Sequence, residues 1–540
     1  MLYPQPDPER ARQYHAAGYW RDVTIAQAIA ASTAAAPDKL AVRDAAGASL
    51  TYRQLDEQSG RLAGFLAGRG VVAGDIVTIC QPNWCQTVVV FAAVLKLGAV
   101  INAVPVTYGR AELAFVLGKC QSKALFIAAR FRSTDYTANV AALEPALTQN
   151  LTIVRLGDGA HDLGVRYEAA LAHAPLAQVH AGHADDVAAV LFTSGTESRS
   201  KGVVHSHNTI LFGERALAGA LGLGADDVAF MASPIAHATG FMHGVVMTLT
   251  NGATLSLLDV FDGAVALKQM RAHRCTWTMG ATPFLVDTLA ALRDTGGGLP
   301  DLRYFLCGGA PVPEVAVLTA GELGVRVMSI YGSTESPPHT LVHPDDPVAN
   351  AWQTDGRALA GIETRIVGED KQDVPVGEVG EEWSRGPNAF LGYFDEPELT
   401  RKDLGADGWY RSGDLARGLA DGSIRIAGRI KDIIVRGGQN ISVSEVENYL
   451  AGHPSVKSVA VVAVPHPRLG ETGCAVVVAA PGHTPTLAEL SAYLMDKGVA
   501  RFKLPEQLEI WPSLPTTPSG KIQKFIVRQK LAEAGKGAPT

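Results

Sequence analysis

The segment TSGTESRSKG, Thr193 to Gly202, gathers hydroxyls and small residues and then supplies a lysine. Backbone N–H groups and the hydroxyls of Thr193, Ser194 and Thr196, with Gly195 among them, can wrap a phosphate, and Lys201 adds positive charge. No glycine precedes Lys201 and Gly202 follows it, so the Walker pattern does not fit. Glu197 sits in the middle, where a carboxylate would repel phosphate. Taken alone, the segment reads equally well as a polar surface turn.

Further loops carry the same kind of residue. YGSTE, Tyr331 to Glu335, offers an aromatic ring, a glycine, hydroxyls and a carboxylate. CGGAP ends on Gly308, Gly309, Ala310 and Pro311; SPIAHATGF holds His237; YRSGDL holds Asp414. GRIKD, RGGQN and PTTPSGKIQK follow, the last with Lys521. Singly, each has a plain reading: a solvated Asp or Arg, a core Tyr, a structural His, a turn at Gly437-Gly438, a solvent-facing Lys.

These loops need rigid elements behind them. Val187 to Phe192 is an apolar run leading straight into the first loop, and LRYFLCGGAPV and VRVMSIYGSTES repeat that arrangement. Ligand loops in α/β folds follow strand ends, so the three are expected to converge at one edge of a sheet. Thr51 and Gln54 have capping-box spacing, and Leu55, Leu62, Phe65 and Leu66 then share a helical face. Val88 to Leu97 reads as a buried helix. The apolar stretch around it is broken by Lys96 and falls short of the roughly 20 residues a membrane span needs. Alternating strand and helix signals predict layered α/β architecture. Near Gly428 the composition shifts. Ser442 and Glu445 suggest another capping box, and VKSVAVVAV, GCAVVVAA and LAELSAYLMDKG read as two strands and a helix of a smaller α+β unit.

With 540 residues, more than one domain is expected. Hydrophobic residues make up 47% and the net charge is −7 without a basic block, which argues for a globular chain and against nucleic acid as partner. The six cysteines have no metal-ligand spacing and suggest a reducing, cytoplasmic setting.

In this order the motifs resemble those of the acyl-adenylate-forming superfamily of acyl-CoA synthetases, peptide-synthetase adenylation domains and luciferases. The resemblance runs from LTYRQLDEQSGRLA to PTTPSGKIQK, nearly the whole chain. It implies that Thr193, Ser194, Gly195, Thr196 and Lys201 handle the ATP phosphates. Gly308, Gly309, Ala310 and Pro311 with Tyr331 and Gly332 would enclose adenine. Thr334 would touch the α-phosphate, and Glu335 would hold Mg²⁺, a hard cation suited to oxygen. Asp414 would take the ribose hydroxyls with help from Arg429. Lys521 would bridge the attacking carboxylate and the α-phosphate, a role not expected of Lys524, which reads as a surface charge.

The same resemblance implies a two-step reaction. A carboxylic acid and ATP give an acyl-adenylate, and the thiol of coenzyme A then opens it. The small domain would rotate between the steps about Lys431, bringing Gly437 and Gly438 to the pantetheine. The expected division is therefore residues 1–430, a large layered α/β N-terminal domain, and 431–540, a small mobile α+β C-terminal domain.

His237, Ala238, Thr239, Gly240 and Met242, with Met279, Gly280, Ala281 and Pro337, would wall the acyl pocket. His237 would position the carboxylate. No Lys, Arg or Asp stands among them, which favours a neutral apolar acid over an amino acid. The loops look most like the cyclohexanecarboxylate–CoA ligase and medium-chain fatty-acid–CoA ligase branch. Two alternatives remain: an enzyme loading a carrier-protein thiol, and a silent nucleotide-binding protein. A homodimer is left open. The family loop usually reads Thr-Ser-Gly-Thr-Thr-Gly-x-Pro-Lys-Gly, so Glu197, Ser198 and Ser200 depart from it. Glu197 is expected to point away from phosphate, toward Arg199 or another base, rather than to the metal.

Overall fold

Strand Val187–Phe192 is buried at every residue, and Tyr304–Gly308 and Val327–Tyr331 are buried through their interiors. Runs that are apolar on both faces suit sheets covered on both sides. The computed structural model, which describes residues 3–193, 200–437, 439–517 and 520–534, contains two such sheets in a layered α/β arrangement.

The nine-stranded sheet includes Val228–Met231, Trp277–Gly280, Tyr304–Gly308 and Val327–Tyr331 as successive parallel neighbours. The eight-stranded sheet places Val187–Phe192 between Val100–Ala103 and Gly202–Ser206. The three strands that lead into these loops therefore do not share one sheet edge. Gly202–Ser206 returns antiparallel on Val187–Phe192, with Phe192 opposite Gly202, so the first loop is a hairpin connection that keeps its strand in its own sheet. Loops from two different sheets converge instead.

Helix Tyr52–Gly68 starts with both hydrogen bonds of the Thr51/Gln54 capping box and buries Leu55, Leu62, Phe65 and Leu66. The buried helix begins at Cys85 rather than Val88 and runs to Lys96, whose ammonium donates to the Asp56 carbonyl at 2.6 Å and carboxylate at 2.7 Å. That pairing lets a lysine end an apolar helix. Among the described residues no helix is long and apolar enough to cross a membrane.

A four-stranded antiparallel sheet, Glu363–Val367, Val379–Arg385, Tyr410–Gly418 and Ile424–Arg429, carries Glu382, Asp414 and Arg429. The 3₁₀ turn Ile430–Asp432 follows, and a further sheet draws all its strands from Ile433 onward. In it Val456–His466 pairs with Gly470–Ala479, while helices Val443–Leu450 and Leu487–Asp496 bury Val446, Leu450, Leu490 and Leu494. The Ser442 hydroxyl accepts from the Glu445 N–H at 3.3 Å, giving the N-cap half of the expected box. Lys524 departs from expectation. It is 16% exposed and pairs at 2.9 Å with Glu447, because the first turn of helix Lys524–Glu533 brings it onto that half-buried acid.

Candidate active site

The phosphate-type hairpin closes where the Thr193 N–H donates to the Lys201 carbonyl at 2.9 Å. Ser194, Gly195, Thr196 and Glu197 lie outside the described residues. Lys201 Nζ stands 3.2 Å from Asp403 Oδ2 and 4.6 Å from the centre of the Tyr393 ring. The Tyr393 hydroxyl is 3.1 Å from the same Asp403 oxygen and 3.0 Å from Glu335 Oε1. Burial, and then the Glu335 charge, hold this phenol well above its usual pKa, so it stays protonated and donates. A chain of contacts thus joins the lysine of the first loop to the carboxylate of YGSTE.

Glu335 is 8% exposed, and its carbonyl accepts from Phe390 N–H at 2.8 Å. With Oε1 engaged by Tyr393, its second carboxylate oxygen is the one suited to a hard cation. Among the described residues no group of three His, Cys, Asp or Glu could hold a metal alone. One carboxylate fits an ion such as Mg²⁺, which keeps waters and takes its other ligands from substrate phosphates.

The loop that carries Glu335 is held from below. Buried His205 sits with Nε2 2.8 Å from the Thr334 carbonyl and Nδ1 3.0 Å from the Thr209 hydroxyl. Burial pushes this histidine down to about 4, so it is neutral, with Nε2 as donor to the carbonyl. Tyr331 donates to Asp414 Oδ2 at 2.8 Å, and Arg429 Nε lies 3.0 Å from Asp414 Oδ1. Gly308 and Gly332 pass close to backbone: added Cβ atoms would stand 2.5 Å from the Ile330 carbonyl oxygen and 3.0 Å from that of Ser336. Gly309 and Ala310 are exposed at the strand end and Pro311 half-buried.

Lys521 reaches this cluster from the far end of the chain. Gly309 has φ +84°, and a Cβ there would stand 2.7 Å from Lys521 Cε. Burial and then Arg429 push the Lys521 ammonium below its ordinary pKa, while Asp414 and Glu335 pull the other way. Its neighbour Gly520 lies against Ala281 and Pro283. The Lys521 charge also acts on His237, which burial first and then that charge push down to about 3. His237 Nδ1 accepts from the Thr239 N–H at 3.3 Å, so the neutral ring carries its proton on Nε2.

The turn holding His237 is tight. A Cβ on Gly240 would stand 2.2 Å from the Pro234 carbonyl oxygen, which only glycine avoids. Buried Asn83 pins it, donating to the Ser233 and Leu258 carbonyls at 3.0 Å each and accepting from the Ile235 N–H at 2.9 Å. Thr239–Val246 continues as a π-helix, a form frequent at functional sites. Ala238, Met242, Met279 and Ala281 are buried, and the Ser233 hydroxyl donates to the Met279 carbonyl at 3.3 Å. Gly280 packs on Phe284, and the Pro337 carbonyl accepts from Asn388 at 3.1 Å.

Gly437 is placed differently. It turns the hairpin between Ile433–Arg436 and Gln439–Ser442, and its N–H donates to the Leu469 carbonyl at 2.8 Å within the small unit. Gly438 lies outside the described residues, and Lys431 sits in the 3₁₀ turn before the hairpin. The motifs did not reveal Asn83, His205, Tyr393 or Asp403. Each lies outside the motifs, with nothing in its own segment to single it out, and acquires a role only through contacts across the fold.

The family model described as AMP-binding enzyme matches residues 29–394, and that of the AMP-binding enzyme C-terminal domain matches 445–521. The medium-chain fatty-acid–CoA ligase of Escherichia coli (strain K12) is 43% identical over 97% of this chain and 93% of its own. The salicyl-AMP ligase / salicyl-S-ArCP synthetase of Mycobacterium tuberculosis (strain ATCC 25618 / H37Rv) is 34% identical over 96% of this chain and 93% of its own. ATP-bound MatB from Rhodopseudomonas palustris superposes with TM-score 0.85 at 29% identity, covering 94% of this chain and 99% of that one.

Proposed function

The chain belongs to the AMP-binding enzyme family and is an AMP-forming acyl-CoA synthetase, and from that premise we propose that it activates an apolar carboxylic acid, medium-chain or alicyclic. The observation that carries this reading is Lys521 lying across Gly309, with His237, Asp414, Arg429 and Glu335 as its charged or polar surroundings.

In the first step a carboxylate oxygen attacks the α-phosphorus of ATP. The bond to the β-phosphate bridge breaks, and pyrophosphate leaves with the electron pair. No proton moves. Negative charge gathers on the α-phosphate oxygens, and the partly desolvated Lys521 ammonium is the group to meet it. Its environment is short of compensating anions until both substrates are present. His237, neutral and protonated on Nε2, offers a hydrogen bond to the acid's carboxylate without adding charge. Tyr331 supplies a ring face for adenine, while Asp414 and Arg429 take the ribose. Thr193, Ser194, Gly195, Thr196 and Lys201 grip the outer phosphates and Thr334 the α-phosphate. Mg²⁺, held by Glu335 and phosphate oxygens, would neutralise part of the triphosphate charge.

In the second step the thiol of coenzyme A gives up its proton to solvent and its sulfur adds to the acyl carbon. The carbon–oxygen bond to the phosphate then breaks, releasing AMP and the thioester. Rotation of the unit 431–540 about Lys431 would withdraw Lys521 and bring Gly437 and Gly438 to the pantetheine arm. The turn Ile430–Asp432 is short enough to absorb such a rotation at a few residues.

The apolar-acid reading is supported by the burial and lack of charge of Ala238, Met242, Met279, Ala281 and Pro337, which it takes as the acyl wall, and by the relative named for medium-chain fatty acids. Thr239, Gly240 and Gly280 complete that wall. The test is acid-dependent exchange of labelled pyrophosphate into ATP across linear, alicyclic and aromatic acids, with thioester formation on coenzyme A followed in parallel. Exchange with none of these acids sinks the reading. Exchange without coenzyme A consumption would point to a carrier-protein acceptor instead.

A further inference from the structure

Behind the proposed adenine platform lies a pair of charges that the reaction as described does not use. Glu382, on strand Val379–Arg385, and His339, just before Thr340–Leu341, are 0% and 1% exposed at their side chains. His339 Nε2 and Glu382 Oε1 face each other at 3.3 Å, off hydrogen-bond alignment, and each lacks any other protein hydrogen-bond partner among the described residues. His339 Nδ1 is 2.8 Å from the Ser336 carbonyl.

Those contacts count protons. A carbonyl only accepts, so Nδ1 carries a hydrogen. Were the ring neutral, Nε2 would then turn a lone pair on a buried carboxylate 3.3 Å away, too near for a water to fit between. Such an arrangement is costly, and one further proton on Nε2 converts it to attraction. Burial alone would push the imidazole down, but Glu382, the Ser336 carbonyl and Asp414 together hold it above the ordinary histidine value.

The pair also touches the working parts. The Tyr331 hydroxyl lies 3.5 Å from Glu382 Oε2 as well as 2.8 Å from Asp414. The rings of Tyr331 and His339 meet edge-on, with centroids 4.8 Å apart. Ser336, which His339 grips by its carbonyl, accepts from the Ser384 hydroxyl at 3.1 Å and the Asn388 amide at 3.3 Å and leads into the proposed acyl wall at Pro337. We propose that His339 and Glu382 form a buried imidazolium–carboxylate pair that positions Tyr331 for the nucleotide and sets the turn joining the nucleotide and acyl sites.

Both are positioning residues, and the proposal rests on the reading of Tyr331 as the adenine platform. The other titratable or charged groups beside the pair are Tyr331 itself and Asp414 with Arg429, while Asp355, paired with Arg425, reaches the neighbouring strand by its backbone carbonyl, which accepts from the Thr340 hydroxyl. The test is calorimetric binding of AMP to the full chain from pH 6 to pH 10. Wild type should bind AMP and lose affinity as pH rises through the raised His339 value. Glu382→Gln should bind about tenfold more weakly at neutral pH and show its pH-dependent loss at lower pH, since the imidazolium has lost its counter-ion. His339→Gln, whose amide can still donate to Ser336, should show no such limb. In kinetics, Glu382→Gln should raise KM for ATP more than it lowers kcat. AMP failing to bind wild type would reject the platform reading. AMP binding to wild type and both variants with one common pH profile, or uniformly weaker at every pH, would reject the pair. If Glu382→Gln does not fold, the limb in His339→Gln decides alone.

Discussion

Lys521 lies close against Gly309: a side-chain carbon on the glycine would stand 2.7 Å from Lys521 Cε. Residues more than two hundred positions apart thus share one volume, and the glycine leaves room for the lysine. Gly309→Ala should slow pyrophosphate exchange at least about tenfold, since small misplacements at reacting groups are costly. At φ +84° the new methyl also adds strain, destabilising the fold by about 1–2 kcal/mol. Parallel exchange, AMP-binding and melting measurements separate these effects. Unchanged exchange would mean that Lys521 does not need the space.

Lys521→Ala should cut acyl-adenylate formation by about 10²–10³, while thioester formation from supplied acyl-adenylate persists. Rapid-quench measurement of the two steps separates them. Equal loss in both would assign Lys521 to folding or domain docking instead.

Glu335→Gln keeps size and removes charge. The Mg²⁺ concentration for half-maximal exchange should rise about tenfold, as one charged oxygen ligand is lost. A Mg²⁺ titration at fixed ATP reads this directly. An unchanged requirement would place the cation elsewhere.

Buried His205 and His207 are both pushed down to about 4, chiefly by burial. In the unfolded chain they titrate near 6.5. Below that pH the unfolded state binds protons that the native state refuses, so stability falls as pH falls from about 6.5 toward 4. The loss approaches about 1.4 kcal/mol per pH unit for each histidine. Urea unfolding from pH 7 to pH 5 checks it. His205→Gln should flatten the slope, and a pH-independent midpoint in wild type would contradict the burial argument.

Local pattern revealed much of this molecule. The Thr51/Gln54 cap, the helix face of Leu55 and Leu66, and strand Val187–Phe192 all lie where the sequence indicated, because each depends on neighbours within a few residues. Tyr331, Glu335, Asp414, Arg429 and Lys521, which the structure brings together, all lie in motifs where chemistry-bearing types are concentrated. What could not be read is pairing at a distance. Periodicity gives no hint that Val187–Phe192 keeps to a different sheet from Tyr304–Gly308, since that follows from the hairpin return of Gly202–Ser206. His205 beneath Thr334 and Glu382 beside His339 sit next to other polar residues, Ser206 and His207 in one case and Glu381 and Ser384 in the other, and nothing local singles them out. Lys524 looks like a tail charge until Glu447 is brought to it.

The contact of Lys201 with Asp403 and Tyr393 has a consequence for selectivity. A bare lysine would welcome any anion. Here the cation already has an internal carboxylate as its companion. On the proposed reading of Lys201 as a phosphate grip, an incoming anion would have to take the place of Asp403, and a weakly charged one would gain least from that exchange.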